Sequence, residues 1–270
     1  MKTLFIVVES LDINKSSGAK ANFALIKNLV SLGYKMRVIH YSRKDIEIGG
    51  VKLVKIEEKK FSLLYFFSRF QRIVSRWLKI DFSVFLENLF GHSFTFFNDC
   101  KSIKGAITKN YNDEDLIITL SQGASFRPHY ALLKLPQLHS KWLAYVHDPY
   151  PFHYYPRPYN WVEKGYRFKE SFFKQVSETA KYSAFPSKLL KEWMGSYFPN
   201  FLKTGIIIPH QISNIFSNDI DASYEFDFFD DKMFNILHAG NLMKPRDPRG
   251  LIEGFKLFLN KYPEARTFSK

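Results

Sequence analysis

The chain has 270 residues, of which 46% are hydrophobic and 17% aromatic, enough apolar side chain to fill one large or two modest cores. This composition excludes an intrinsically disordered chain, and the single cysteine, Cys100, excludes an intramolecular disulfide. The formal net charge of +13 favours an anionic partner, which could be a nucleic acid, an anionic membrane surface or a phosphate-bearing substrate.

The amino terminus predicts a buried strand and not a secretory signal peptide. Only about six apolar residues follow Lys2 before Glu9 interrupts them, which is too short for a signal sequence. No apolar stretch approaches the roughly 20 residues that span a bilayer. No CxxC motif or His/Cys cluster has metal-ligand spacing. We therefore expect a cytoplasmic protein, soluble or peripheral at the inner face of the membrane, without a metal cofactor.

The opening of the chain alternates strands with a helix. The apolar run Leu4–Val8 predicts a strand buried on both faces, and a helical pattern then follows the Gly18 loop and ends at Gly33. Residues 36–41 and 51–56 predict two further strands. This order predicts an α/β fold, a Rossmann-like parallel sheet with flanking helices. Because the loop lacks GxGxxG, Gly18 is equally well explained as a helix-entry turn.

Residues 61–80 predict a long amphipathic helix that is both aromatic and basic. Its apolar and basic sides are formed by Phe66, Phe70, Ile73, Val74 and Trp77 and by Arg69, Arg72, Arg76 and Lys79. Such a helix can lie in the headgroup region of an anionic membrane, with aromatic rings inserted and arginines on phosphates. The alternative is a helix that only covers a sheet. Arg69, Arg72, Arg76 and Trp77 are the candidate membrane or acceptor residues.

Polar side chains follow two further predicted strands, at residues 116–120 and 142–146. The second strand ends in HDPYPFHYYPRPY, so His147 and Asp148 leave it directly. Ligands of open α/β sheets bind at such strand ends, which makes both residues candidates for catalysis. The alternatives for His147 are a hydrogen-bonded packing residue and a loop cap. His153 does not complete a metal-ligand set with them, and the tyrosines either line an acceptor pocket or pack the loop.

The remaining pattern predicts the domain boundaries. A helix over 161–181, a strand over 182–185, a helix from Ser187 to Tyr197 and a strand over 206–208 complete the first half. Residues 213–233 are polar, acidic and aromatic without periodicity, which is typical of a linker. The predicted organisation is a Rossmann-like acceptor-side domain over 1–212, a linker over 213–233, and the first strand and helix of a second Rossmann-like domain over 234–270.

The last segment combines a strand, a glycine turn, a basic loop and a helix. Residues 234–239 predict the strand, Gly240 follows it, and helical spacing then runs to Pro263. The intervening loop carries Arg246, among other cations. A helix amino terminus behind such a loop favours an anion, so we expect a diphosphate site. The alternative is an ordinary strand-to-helix turn, which any α/β protein contains.

Taken in order, these motifs resemble a GT-B glycosyltransferase of the large retaining family that uses nucleotide-activated sugars, often called family four. The resemblance rests on the Gly18 loop, the strand ending at His147 and Asp148, the segment IIIPHQI, and ILHAGNL followed by RDPRGLIEGF. It implies that Gly18 approaches the donor phosphates or the acceptor and that His147 sits near the transferred sugar. It also implies donor contacts from Gly240, Asn241 and Arg246, although many members carry arginine where Asn241 stands.

The resemblance implies transfer of a sugar from a nucleotide-diphosphate sugar to a glycan or lipid-linked acceptor in polysaccharide or cell-envelope synthesis. No metal cofactor is expected, because cationic side chains and helix dipoles can stabilise the leaving diphosphate. The family's later acidic motif is absent before Lys270, so we expect a truncated member whose activity alone is left open. The alternative is a non-catalytic domain that binds an acceptor or an anionic membrane through helix 61–80. Nucleic acid is not an expected partner, since no recognised motif accompanies the charge.

Overall fold

The computed structural model describes residues 2–14, 16–42, 45–123, 125–157, 163–211, 232–237 and 247–269. The chain divides into two compact units, one of Met1–Tyr155 with Trp161–Ser213 and the other of Pro156–Asn160 with Asn214–Lys270. Because most of the predicted linker over 213–233 lies outside the described residues, the domain boundary stays a prediction.

Parallel strands form one sheet in the first unit. They are β1 (Thr3–Val8), β2 (Lys35–His40), β3 (Lys52–Lys55), β4 (Leu116–Leu120), β5 (Trp142–Tyr145), β6 (Tyr182–Phe185) and β7 (Gly205–Ile207). The spatial order across the part of the chain that is described is β3-β2-β1-β4-β5-β6-β7, and every neighbouring pair is parallel. This confirms the predicted α/β, Rossmann-like fold.

Helices connect these strands and cover the sheet. They are α1 (Ser17–Ser31), α2 (Leu63–Leu78), α3 (Phe82–Phe90), α4 (Phe94–Asn110), α5 (Arg127–Leu133), α6 (Tyr166–Thr179), α7 (Lys188–Tyr197) and α8 (Asn200–Thr204). A serine hydroxyl caps several of their amino termini, because it accepts a hydrogen bond from an otherwise unpaired backbone N–H. The predicted cap Ser187 is confirmed, since its Oγ accepts from the backbone N–H of Leu190 at 3.1 Å.

The sheet is buried on both faces, which explains the continuous apolar strands in the sequence. Phe5, Val7 and Ile117 are fully buried in the core. Trp142, at the start of β5, is also fully buried, and its indole N–H donates to Thr119 Oγ1 at 2.8 Å. That hydrogen bond satisfies the one polar atom of the largest core side chain, so the indole can be buried without an unpaired donor.

Two predicted elements differ from the observed ones. Residues 234–237 form no strand, because Phe234 makes only an isolated parallel bridge to Ser269 and a strand requires a continuous ladder; residues 238 and 239 lie outside the described chain. The helix expected over 161–181 begins at Tyr166 among the described residues, after Gly165, whose φ of 65° lies in the left-handed region; residues 161 and 162 lie outside the described chain. The last predicted helix is confirmed as α9 (Arg249–Lys261).

Helix α2 does not cover the sheet with its aromatic side. The buried side chains of this helix are Ser68 and Gln71, and the helix packs against α4. Phe66, Phe70 and Trp77 are instead exposed, Trp77 to 82%. The small and polar side of the helix therefore faces the protein, and its apolar side faces outward.

Candidate functional site

The carboxyl edge of the sheet contains the point where strand order reverses. From β1 the chain proceeds outward to β2 and β3, and it then returns to place β4 on the other side of β1. Loops leaving β1 and β4 therefore diverge, and the crevice between them is where open α/β sheets bind ligands. Both groups of polar side chains described below lie along this edge.

The first group surrounds His147, directly after β5. Its Nε2 lies 2.7 Å from Asn22 Oδ1, and its Nδ1 lies 2.9 Å from His210 Nε2. The Asn22 amide is oriented by its own Nδ2, which donates to the carbonyl of Ser121 at 3.1 Å. Since Asn22 Oδ1 can only accept, the network assigns the proton to His147 Nε2, and Nδ1 accepts from His210.

The environment of His147 keeps its ring neutral. The side chain is buried and its backbone N–H donates to Ser121 Oγ at 3.0 Å. Burial, reinforced by the neighbouring charge of His210, lowers the pKa of His147 to about 3. A neutral ring with both nitrogens bonded to protein atoms can orient a neighbour but cannot act as a general acid near neutral pH.

Asp148 lies beside this network and is partly buried. Burial raises the pKa of its carboxyl group, while a hydrogen bond from Tyr155 and the nearby His210 oppose that rise. The structure thus places both predicted catalytic residues at the carboxyl edge. It gives His147 the more enclosed position, and it adds His210, an exposed residue, as the outward-facing member of the network.

Gly18 lies in the first turn of α1, at the reversal point. A Cβ atom at this position would approach Gln122 Cγ to 3.2 Å, and Gln122 Nε2 donates to Ser16 Oγ at 2.6 Å. The glycine therefore lets the loops after β1 and β4 pass close to each other. The other predicted donor residues, Gly240, Asn241 and Arg246, lie outside the described residues.

The second group is a polar cavity of about 440 Å³, which we call the switch pocket. Its walls include Gln122 and Ser125 after β4, Arg127 at the start of α5, His92 before α4, and Lys169 of α6. Arg127 is held by Glu9 at 2.8 Å and by Asp99 at 3.1 Å. Lys169 is held by Glu87 at 2.9 Å and by Glu163.

Sequence reasoning missed Asn22, His210 and the ion pairs of the switch pocket. One signal was available, because Glu9 and Ser121 each directly follow a buried strand, as His147 does. Their partners could not be identified that way. Asn22 and Arg127 lie within helices, where polar residues ordinarily face solvent, and nothing local distinguishes them.

The predicted membrane or acceptor residues occupy α2. Arg69 pairs with Glu58 at 2.9 Å and lies over the Tyr65 ring, so its charge is compensated within the protein. Arg72 and Arg76 are exposed beside Trp77. Large apolar side chains that are also exposed on α2 and α3 are Leu63, Phe66, Phe70, Ile73, Phe85 and Leu89. We call these two helices with their exposed side chains the aromatic hairpin.

The described residues contain neither a membrane-spanning helix nor a cluster of metal ligands. Among those residues, no helix combines the length and apolar character needed to cross a bilayer. The same part of the chain brings together no group of three or more His, Cys, Asp or Glu side chains suited to a metal ion.

Comparisons of the chain with known proteins give similar structures but no sequence match. No protein-family model matches the chain, and no curated protein matches it. The N-terminal domain of trehalose-6-phosphate phosphatase from Candida albicans is similar in structure, with a TM-score of 0.56 and 15% identity over 100% of this chain and 63% of that one. This chain therefore spans less than two thirds of that protein.

Two other solved structures are similar at lower TM-scores. A glycosyltransferase from Rickettsia africae has a TM-score of 0.39 and 12% identity over 77% of this chain and 42% of that one. TcCGT1 in complex with UDP has a TM-score of 0.46 and 11% identity over 77% of this chain and 50% of that one. Identities this low show at most a shared fold.

Proposed function

We propose that this chain takes part in glycosyl transfer, moving a sugar from a nucleotide-diphosphate sugar to a glycan or lipid-linked acceptor in polysaccharide or cell-envelope synthesis. The observation that carries the proposal is the hydrogen-bonded network of Asn22, His147 and His210 at the carboxyl edge of the sheet. A Rossmann-like sheet binds its ligand at that edge, and a network of hydrogen-bonding side chains there suits a hydroxyl-rich substrate. The resemblance of the sequence to GT-B enzymes of family four supports the same reaction.

In this proposal the two histidines have different roles. His147 is a positioning residue, because Asn22 and His210 already occupy its ring nitrogens. His210 presents an exposed ring, oriented by His147, to the donor sugar. Gly18 permits the close approach of loops beside the ligand. Gly240, Asn241 and Arg246 would contact the donor diphosphate, and Arg246 would offset the charge that develops on the leaving phosphate without a metal ion.

Ligand-dependent thermal stabilisation of the 270-residue chain tests this function. A nucleotide-diphosphate sugar at about 100 times its Kd should stabilise the protein by about 2.7 kcal/mol. For a chain of this size, that corresponds to a rise in Tm of roughly 5–10 °C. His210→Ala should reduce the rise, whereas Lys203→Ala, an exposed control on α8, should not. A folded protein that shows no shift with any nucleotide sugar in a panel of uridine, guanosine and cytidine derivatives would contradict the proposal.

A second function is favoured by the aromatic hairpin, namely peripheral binding to an anionic membrane at the cytoplasmic face. Exposed apolar side chains of this size are costly in water unless a partner covers them. Arg72 and Arg76 lie on the same helix as Phe70 and Trp77, and this arrangement suits an interface with anionic headgroups above and acyl chains below. The same surface could bring the protein to a lipid-linked acceptor.

Co-sedimentation with vesicles tests the hairpin. Phe70→Ala with Trp77→Ala should weaken binding to vesicles of phosphatidylserine and phosphatidylcholine at least about a hundredfold, since each buried aromatic contributes about 1.5–3 kcal/mol. Arg72→Gln with Arg76→Gln should weaken it by about fivefold per charge, from about 1 kcal/mol each. Leu189→Ala, which alters an equally exposed apolar residue on α7, is the matched control. If vesicle binding depended neither on the anionic lipid nor on these substitutions, the aromatic hairpin would not be a membrane-binding surface.

A further inference from the structure

An apolar groove lies where α2, α4 and α5 meet, and it shares no lining residue with the switch pocket. Its volume of about 480 Å³ falls in the range of small-molecule sites, roughly 300–1,000 Å³. Cys100 and Ala131 are buried in its lining, and Leu64, Phe97 and Tyr130 are half-buried beside them. The three helices therefore leave a concave, partly solvated apolar surface, where a hydrocarbon chain would be removed from water on several sides.

Three lysines complete the lining, and we call this cavity the lysine groove. Lys101 and Lys104 lie three residues apart on α4, and Lys134 directly follows α5. All three are exposed, and the ammonium group of Lys134 lies 5.2 Å from the centroid of the Tyr130 ring, which is part of the apolar wall. The cationic ends therefore lie at the rim of the groove, next to its apolar walls.

Carboxylates do not neutralise these lysines. Among the described residues none of the three forms an ion pair, in contrast to Lys141 and Lys169, and no Asp or Glu lines the groove. The sequence also places no acidic residue three or four positions from any of them. The groove therefore carries three uncompensated positive charges, and an anion at its rim would relieve their mutual repulsion.

The two properties of the groove select a ligand that has both an anionic head and a hydrocarbon chain. A free anion would gain only the attraction of exposed charges, which water and salt weaken, and it would leave the apolar walls solvated. A neutral apolar ligand would cover the walls but leave the lysines uncompensated. A phosphate monoester suits three ammonium groups better than a carboxylate does, because it carries about 1.5–2 negative charges and three acceptor oxygens at neutral pH.

We propose that the lysine groove binds one molecule of a single-chain lipid phosphate, with the hydrocarbon chain against its apolar walls and the phosphate among its three lysines. This site takes a dissolved lipid molecule, and it differs in this from the aromatic hairpin, which is proposed to insert into a bilayer. The inference goes beyond the proposed glycosyl transfer, since it requires neither a sugar donor nor a membrane.

Isothermal titration calorimetry of the 270-residue chain with monomeric alkyl phosphates tests the inference. Octyl phosphate should bind about fifteenfold more tightly than hexyl phosphate, because each methylene removed from water contributes about fourfold in affinity. Inorganic phosphate and octanol should each bind at least about tenfold more weakly than octyl phosphate, since each has only one of the two recognised parts. No binding of octyl phosphate, or equal binding of hexyl phosphate, octanol or inorganic phosphate, would overturn the inference.

Lysine variants locate the phosphate. Lys101→Gln with Lys104→Gln should weaken octyl phosphate binding by about fivefold per charge and leave the preference for octyl over hexyl phosphate unchanged. Lys109→Gln with Lys203→Gln removes the same net charge at exposed positions outside the groove and should leave the affinity unchanged. Equal losses in the two double variants would show that net charge, and not the groove, attracts the anion.

A pair of neighbouring leucines on α2 locates the hydrocarbon chain. Leu64→Gln places a polar side chain in the groove wall and should reduce the advantage of octyl over hexyl phosphate from about fifteenfold to about fourfold or less. Leu63→Gln changes an exposed leucine of the aromatic hairpin and should leave that advantage intact. If Leu63→Gln alone removed it, the chain would lie on the hairpin and the groove would be refuted. Stabilisation by nucleotide sugars is independent of these results, so failure here leaves the proposed reaction standing.

Discussion

Between about pH 6 and pH 4, three buried histidines are expected to contribute a loss of about 4 kcal/mol of stability for each unit by which the pH falls. His92, His129 and His147 are all buried, and burial is the main reason that the pKa of each is lowered from 6.5 to about 3. In this window the unfolded chain binds three protons that the folded chain does not. Stability is therefore fully present above pH 6.5 and is lost as the pH falls towards 3.

Two carboxyl groups oppose this loss in part. Burial raises the pKa of Asp99 and of Asp148, so the folded chain binds these protons before the unfolded chain does. Their contribution stabilises the folded state as the pH falls through the raised pKa values. Domains of this kind have total stabilities of about 5–15 kcal/mol, so the histidine contribution is a large fraction of the total in mild acid.

Urea unfolding at a series of pH values measures the effect. His129→Leu removes one of the three groups, and the slope should become shallower by about 1.4 kcal/mol per pH unit. Between pH 7 and 8 the same substitution should leave the slope unaltered, since all three rings are then neutral in both states. An unchanged slope between pH 6 and 4 in His129→Leu would show that His129 takes up its proton in the folded state as readily as in the unfolded state.

Lys169→Met is expected to destabilise the chain by about 3–5 kcal/mol. Lys169 of α6 is buried and contacts Glu87 of α3 at 2.9 Å and Glu163. Removing the ammonium group leaves the buried carboxylate of Glu163 and the partly exposed carboxylate of Glu87 without their shared cation, which is more costly than the loss of the attraction itself. In a thermal melt this should lower Tm by roughly 6–20 °C.

Two further variants separate the charge effect from general disruption of α6. Combining Lys169→Met with Glu87→Gln and Glu163→Gln removes all three charges and should restore most of the lost stability. Lys174→Met, on the same helix, breaks only an exposed pair with Glu178 at 3.9 Å and should change stability by less than about 1 kcal/mol. If the triple variant were no more stable than Lys169→Met alone, buried charge would not be the cause.

Much of the fold could be predicted from local patterns. A strand buried on both faces is largely apolar, so β1 and β5 are visible in the sequence as apolar runs. Serine before a helical pattern indicates where a helix begins, as Ser187 shows. Helices α3 and α4 were less visible, because their aromatic content continues over 82–110 and does not separate into clear faces.

The candidate site was predictable only in part. Strand ends pointed to His147 and Asp148, but the partners of His147 lie 125 and 63 residues away, at Asn22 and His210. Likewise Arg127 and Glu9 are separated by 118 residues. No periodicity connects such positions. Each pairing depends on which strands are neighbours and on the register between them, and both are properties of the assembled sheet.

The sequence alone therefore determined the parallel sheet and the edge at which ligands bind, because the local spacing of hydrophobic residues indicates both the burial of the strands and their alternation with helices. Only the tertiary structure decided which polar groups meet there. It also decided which side of α2 faces the protein: the amphipathic pattern is compatible with either an inward or an outward aromatic face. The choice followed from Ser68 and Gln71 being the side chains buried where α2 packs on α4.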